Sequence, residues 1–146
     1  MPSYEPWRHH FPDLLAWEYD LSSKGWEYVG SGRHRRVIRR GNVVIKIPYQ
    51  PDGKEANQDE YELYRKHRNS PDPRTGVYYA PCRLLMNGCL MMRAMKTKLN
   101  NKAYRKLPLW AFEMLDGPQV GYDKNGRAMA YDYSEERYYS LLDIPA

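Results

Sequence analysis

The stretch that most constrains this chain runs from Gly30 to Lys46, GSGRHRRVIRRGNVVIK. Gly30-Ser31-Gly32 breaks a strand-like run that begins at Trp26, Val37-Ile38 resume a strand, and Gly41-Asn42 supply a hairpin turn. Val43 to Ile47 then reads as a buried apolar strand, yet it carries Lys46, a residue that is almost never buried without a partner.

The following segment offers that partner. Lys54 to Arg68 consists of good helix formers and is ended by Asn69-Ser70-Pro71. Ala56, Glu60, Leu63, Tyr64 and His67 fall on one stripe, which should face the sheet, while Glu62 points away. An inward carboxylate wants a cation, because an unpaired buried charge is very costly. Lys46 is the natural candidate for Glu60.

Around this centre the chain reads as helix, three strands, helix, two strands, helix, two strands. The first helix should follow Pro12-Asp13 and pack Phe11, Leu14, Leu15 and Trp17, with Trp7, against the domain. Pro81 to Met86 and Cys89 to Met95 form a second hairpin about Asn87-Gly88, with Met86 opposite Cys89. That register keeps Cys82 far from Cys89, so both thiols should be free. Two cysteines without a second ligand pair, and His9-His10 without a third ligand, give no zinc site. Lys96 to Lys106 is a basic linker leading into a short helix. Leu109, Trp110, Phe112 and Met114 form an apolar group able to cover the sheet. A third hairpin, Gln119 to Tyr122 and Arg127 to Tyr131, delivers Asp132 at its end.

The length of 146 residues suits one domain, and fourteen Tyr with four Trp can supply its core. No apolar run approaches the roughly 20 residues that cross a bilayer, and no signal peptide is recognisable, so a cytoplasmic protein is expected. The net charge is +5, and Arg33, Arg35, Arg36, Arg39 and Arg40 crowd one hairpin. Such a cluster is either a solvated face or a surface for phosphate, nucleic acid or an acidic partner.

These parts together resemble the protein-kinase-like fold. GSGRHRRV is similar to the glycine-rich loop G-x-G-x-x-G-x-V at Gly30, Gly32 and Val37, with Arg35 in place of the third glycine, and VVIK is similar to the V-A-I-K strand. Glu60 takes the place of the helix glutamate, Arg93 to Lys96 that of the hinge, and Asp132-Tyr133-Ser134 resembles D-F-G. The arrangement is similar, more narrowly, to short kinase-like proteins of phages and prophages. The resemblance implies an α+β fold: a five-stranded antiparallel small-lobe sheet with one long helix (26–96), after an N-terminal extension (1–25). A vestigial large lobe ending in a hairpin (97–146) completes it. It implies ATP and Mg²⁺ as candidate cofactors, with Gly30, Ser31, Gly32, Lys46 and Glu60 at the nucleotide and Asp132 with Gln119 at the metal.

Two departures shape the functional expectation. No H-R-D motif precedes Gln119, whose alignment with the catalytic-loop Asn puts Met114 at the base position and leaves Asp116 two residues away. Only twelve residues follow Ser134, where a kinase has its activation loop and substrate-holding helices. The expected function is therefore a pseudokinase-like binding protein that modulates a host macromolecule, a host enzyme or defence complex, through Arg33, Arg35, Arg36, Arg39 and Arg40. The alternatives are a minimal phosphotransferase with Asp116 as base, and nucleic-acid binding by the basic hairpin.

Overall fold

The computed structural model describes residues 9–68, 70–112 and 119–133. Strands β1 (Glu27–Ser31), β2 (Arg35–Arg40) and β3 (Val43–Pro48) precede the long helix α2 (Gly53–Lys66), and β4 (Cys82–Leu84) and β5 (Leu90–Arg93) follow it. These five strands make one antiparallel sheet in the order β1-β2-β3-β5-β4. Helix α1 (Pro12–Ser22) comes before the sheet. Two short helices, α3 (Asn101–Arg105) and α4 (Leu109–Phe112), and a separate hairpin of β6 (Val120–Tyr122) and β7 (Ala128–Ala130) come after it. The fold is α+β, with the sheet-and-helix arrangement of a kinase small lobe, as expected. One helix was expected between β5 and β6; among the described residues two short ones are found there.

Strand alternation sorts the residues onto two faces. Ile38, Ile45 and Ile47 point to one face, where with Cys89 they meet Leu14 of α1 and are flanked by Phe11, Trp17 and Leu21. Pro12 at the first position of α1 sets the helical φ where no backbone donor is needed. Arg36 also points this way, and its Nε and Nη2 grip the Glu18 carboxylate of α1 at 2.8–3.1 Å. The N-terminal helix is thus a second layer over the sheet.

The opposite face carries Arg35, Val37, Val44, Lys46, Leu90 and Met92, since Arg35 pairs with Pro48, Val37 with Lys46, Lys46 with Leu90 and Val44 with Met92. Leu90 and Met92 belong to the larger core with Val77, Tyr79, Ala80, Val120, Met129, Ala130 and Tyr133. Helix α2 lies against this face. Its first residue, Gly53, sits so close that a Cβ would come within 2.6 Å of the His34 carbonyl and 2.7 Å of Pro48, which admits only glycine.

The hairpin between β4 and β5 departs from the expected register. Leu85, not Met86, lies across from Cys89, donating its N–H to the Cys89 carbonyl at 2.8 Å. The loop is therefore Met86-Asn87-Gly88, with Gly88 at φ 86° and Asn87 Oδ1 accepting from the Cys89 N–H at 3.1 Å. A left-handed glycine serves the two-residue turn and the three-residue loop alike, so Asn87-Gly88 does not by itself set the register. Both thiols are free, on opposite faces of the sheet. Burial raises them to about 11 for Cys82 and about 12 for Cys89, which leaves them inert at neutral pH.

Candidate functional site

A cavity of about 300 Å³ opens beneath the turn between β1 and β2. Gly30, Gly32 and Arg33 of that turn roof it, Val37, Val44 and Met92 form its apolar wall, and Lys46 and Asp132 lie at its inner end. The segment Arg93 to Met95, with Thr97, closes the far side. The β6–β7 hairpin is held to this segment by reciprocal backbone bonds between Lys96 and Tyr122 at 2.9 and 3.1 Å. Gly121 permits that approach, because a Cβ there would lie 2.5 Å from Met95 Cβ.

Gly30 and Gly32 behave differently from Gly53 and Gly121. Neither has a positive φ, and a Cβ at either would meet nothing within 4 Å. Packing among the described residues does not demand glycine there. What the two glycines preserve is open space over the cavity.

Among the described residues, four charged side chains meet at the inner end. Lys46 Nζ donates to Glu60 Oε1 at 2.6 Å and to the Tyr131 carbonyl. Arg35 Nη2 donates to Glu60 Oε2 at 2.7 Å and to Asp132 Oδ1 at 2.9 Å, and Arg35 Nη1 donates to Asn57 Oδ1 at 3.0 Å. Asn57 in turn donates to the carbonyls of Lys46 and Gly88 at 3.0 and 2.9 Å. The Tyr133 N–H adds a bond to Glu60 Oε2 at 3.2 Å, and the Tyr133 hydroxyl donates to the Ala80 carbonyl at 3.0 Å. Glu60 and Asn57 are wholly buried.

Burial by itself would raise the Glu60 carboxyl, but Lys46 and Arg35 overcome it by charge and hydrogen bonding and hold it at about 2. Burial likewise lowers the Lys46 ammonium, with the Glu60 charge opposing it. Among the described residues the cluster holds two cations and two carboxylates.

The expected residues divide clearly. Gly30, Gly32, Lys46 and Asp132 line one cavity, and Glu60 holds Lys46 from behind. Ser31 is exposed, and its hydroxyl shares a 2.8 Å hydrogen bond with Tyr28 outside the cavity. Gln119 is not brought to the cavity; its carbonyl accepts the Tyr131 N–H at 3.1 Å. Asp116, Met114, Trp7 and Ser134 lie outside the described residues.

Of the five arginines expected on a contact surface, Arg35 is buried in the cluster and Arg36 is committed to Glu18. Strand parity separates Arg35 from Arg36 and sends it to the face of Lys46. Arg33, Arg39 and Arg40 are exposed. Sequence reasoning missed Asn57, which interlocks Arg35, Lys46 and Gly88. Its place three residues before Glu60, on the same side of the helix, was the available signal.

Asp132 was expected to hold Mg²⁺. The residues present do not fit that ion: Asp132 Oδ1 is already held by a guanidinium, and Gln119 is elsewhere. Among the described residues no three His, Cys, Asp or Glu side chains come together as ligands.

No protein-family model matches this chain, and no curated protein matches it. Solved structures to which the chain is similar include aminoglycoside phosphotransferases. A ternary complex of streptomycin, ATP and APH(2")-IIa is 19% identical over 68% of this chain and 35% of its own, with TM-score 0.45. A gentamicin complex of APH(2")-IIa is 18% identical over 79% and 36%, with TM-score 0.46. ADP-bound APH(2'')-Ib is 16% identical over 70% and 35%, with TM-score 0.45. This chain spans about a third of the length of those proteins. At such identities and scores the functional reading rests on the cavity itself.

Proposed function

We propose that the protein is a non-catalytic, kinase-like module that binds a nucleotide and acts by contacting a host macromolecule. The observation that carries the reading is the single cavity shared by Gly30, Gly32, Lys46, Asp132 and the Arg93 to Met95 segment. Its apolar wall suits a base. The open glycine turn and the Lys46 ammonium suit phosphate, because glycine allows close backbone approach and lysine supplies positive charge. Met95 lines the cavity, and its N–H makes no hydrogen bond among the described residues, so it is available to the polar edge of a base. A volume of about 300 Å³ lies at the lower end of small-molecule pockets, suiting a nucleotide-sized ligand.

Phosphoryl transfer is set aside because the carboxylate that would hold the metal is engaged by Arg35. The exposed Arg33, Arg39 and Arg40 are the proposed contacts for an acidic partner surface, and the phage-like motif pattern suggests that the partner belongs to a host. The Lys46–Glu60 pair at 2.6 Å favours a second reading, a minimal phosphotransferase, since that pair is also what an active kinase assembles.

The test is thermal unfolding with ATP, both with and without Mg²⁺. Ligand at 100 times its dissociation constant stabilises by about 2.7 kcal/mol, a melting-temperature rise of about 5–10 °C for a chain of this size. A rise that Lys46→Ala removes supports nucleotide binding. No rise in either condition sinks it. Release of phosphate from ATP above the rate of an Asp132→Ala control would favour the phosphotransferase instead.

A further inference from the structure

We propose that Arg35 is a built-in replacement for the divalent cation, so that the cavity takes its nucleotide free of Mg²⁺. The inference rests on the nucleotide reading above and specifies the form of the ligand.

Arg35 opens β2 immediately after the glycine turn and points to the same face as Lys46. Its guanidinium stands between the two carboxylates, 2.7 Å from Glu60 and 2.9 Å from Asp132, with Asn57 at 3.0 Å fixing the fork from a third direction. Asn57 is anchored to the Lys46 and Gly88 carbonyls, so the guanidinium is set in place by backbone. A guanidinium keeps its charge throughout the working pH range and matches carboxylate geometry with paired donors.

A divalent ion at Asp132 would compete with Arg35 for the carboxylate and would stand beside two cations, Arg35 and Lys46. Where it drew the carboxylate away, the buried guanidinium would lose one of its acceptors. Both effects oppose the metal. With Arg35 present, a guanidinium 2.9 Å from Asp132 already screens that carboxylate from an incoming phosphate. Arg35→Gln removes this positive charge from between Glu60 and Asp132, and a metal ion would restore it. Arg35 therefore decides whether the ligand arrives with a metal.

The experiment is equilibrium binding of ATP and ADP to the full chain, in excess EDTA and in excess Mg²⁺, for the wild type, Arg35→Gln and Arg35→Lys. Wild-type affinity should be the same or tighter in EDTA. Arg35→Gln should bind at least about tenfold more tightly with Mg²⁺ than in EDTA, a difference of about 1.4 kcal/mol. Arg35→Lys, which keeps the charge without the fork, should remain free of that dependence. Wild-type binding that vanishes in EDTA overturns the proposal while leaving nucleotide binding intact. No wild-type binding under either condition overturns both. Circular dichroism checks folding of the variants, and should Arg35→Gln fail to fold, the wild-type comparison still decides.

Discussion

Arg35 Nη2 meets Asp132 Oδ1 at 2.9 Å across 97 positions of sequence. This bond ties the start of β2 to the end of the β6–β7 hairpin, and the same nitrogen reaches Glu60 of α2 at 2.7 Å. Three elements thus converge on one guanidinium. Asp132 is partly exposed while Arg35 is nearly buried, so the bond also marks the boundary between the cavity and the core.

Because Glu60 is the acceptor shared by both buried cations, losing its charge should be costly. Glu60→Ala leaves Lys46 and Arg35 without their shared acceptor, and breaking a buried pair in this way costs about 3–5 kcal/mol. We expect the urea midpoint to fall accordingly, with the m-value unchanged. A variant within experimental error of wild type would show that the cluster is not formed in solution.

Asn57→Ala should also destabilise, although no charge is removed. The wholly buried side chain donates to two carbonyls and accepts from Arg35. Leaving buried groups unsatisfied costs about 1–3 kcal/mol each, so a total loss of about 2–4 kcal/mol is expected once relaxation is allowed for. Chemical denaturation measures it. A loss below that of an exposed control such as Gln58→Ala would contradict the interlocking role.

Gly30→Ala and Gly32→Ala separate folding from binding. The added methyl meets no atom within 4 Å and needs no strained backbone, so the melting temperature should stay level or rise slightly through the stiffer unfolded chain. Nucleotide affinity should fall in the same variants as the roof loses its close approach to phosphate. A drop in stability with unchanged affinity would assign these glycines to the turn alone.

Much of this arrangement was legible because it follows from periodicity. The helical stripe set Glu60 inward, and a buried strand carrying Lys46 required a counter-charge, so the pair could be inferred. Arg35 could not be told apart from its neighbours so easily, because β2 alternates Arg-Val-Arg on one face with Arg-Ile-Arg on the other. Composition is the same on both faces. Only the partners differ: Glu18 lies over one, and Glu60 with Asp132 over the other. Those partners come from three distant segments, which local pattern does not bring together. The β4–β5 register escaped for a local reason, since Asn87-Gly88 fits both a two-residue turn and the three-residue loop that forms.

The last expectation concerns acid. Glu60 is ionised when folded down to about pH 2, against an ordinary value of 4.5. A carboxyl whose folded pKa is depressed stabilises fully above its unfolded value and loses that contribution as pH falls through the folded one. The Glu60 contribution is thus intact above about pH 4.5 and disappears progressively towards pH 2. The difference is worth on the order of 3 kcal/mol, since one pKa unit is about 1.4 kcal/mol. Unfolding free energy measured by urea titration between pH 5 and pH 2 should fall accordingly in the wild type. Glu60→Gln should start lower at pH 5 and lose less over the same interval, because it has no proton to take up at this site. Parallel profiles for the two proteins would mean that Glu60 does not bear the charge that holds Arg35 and Lys46 together.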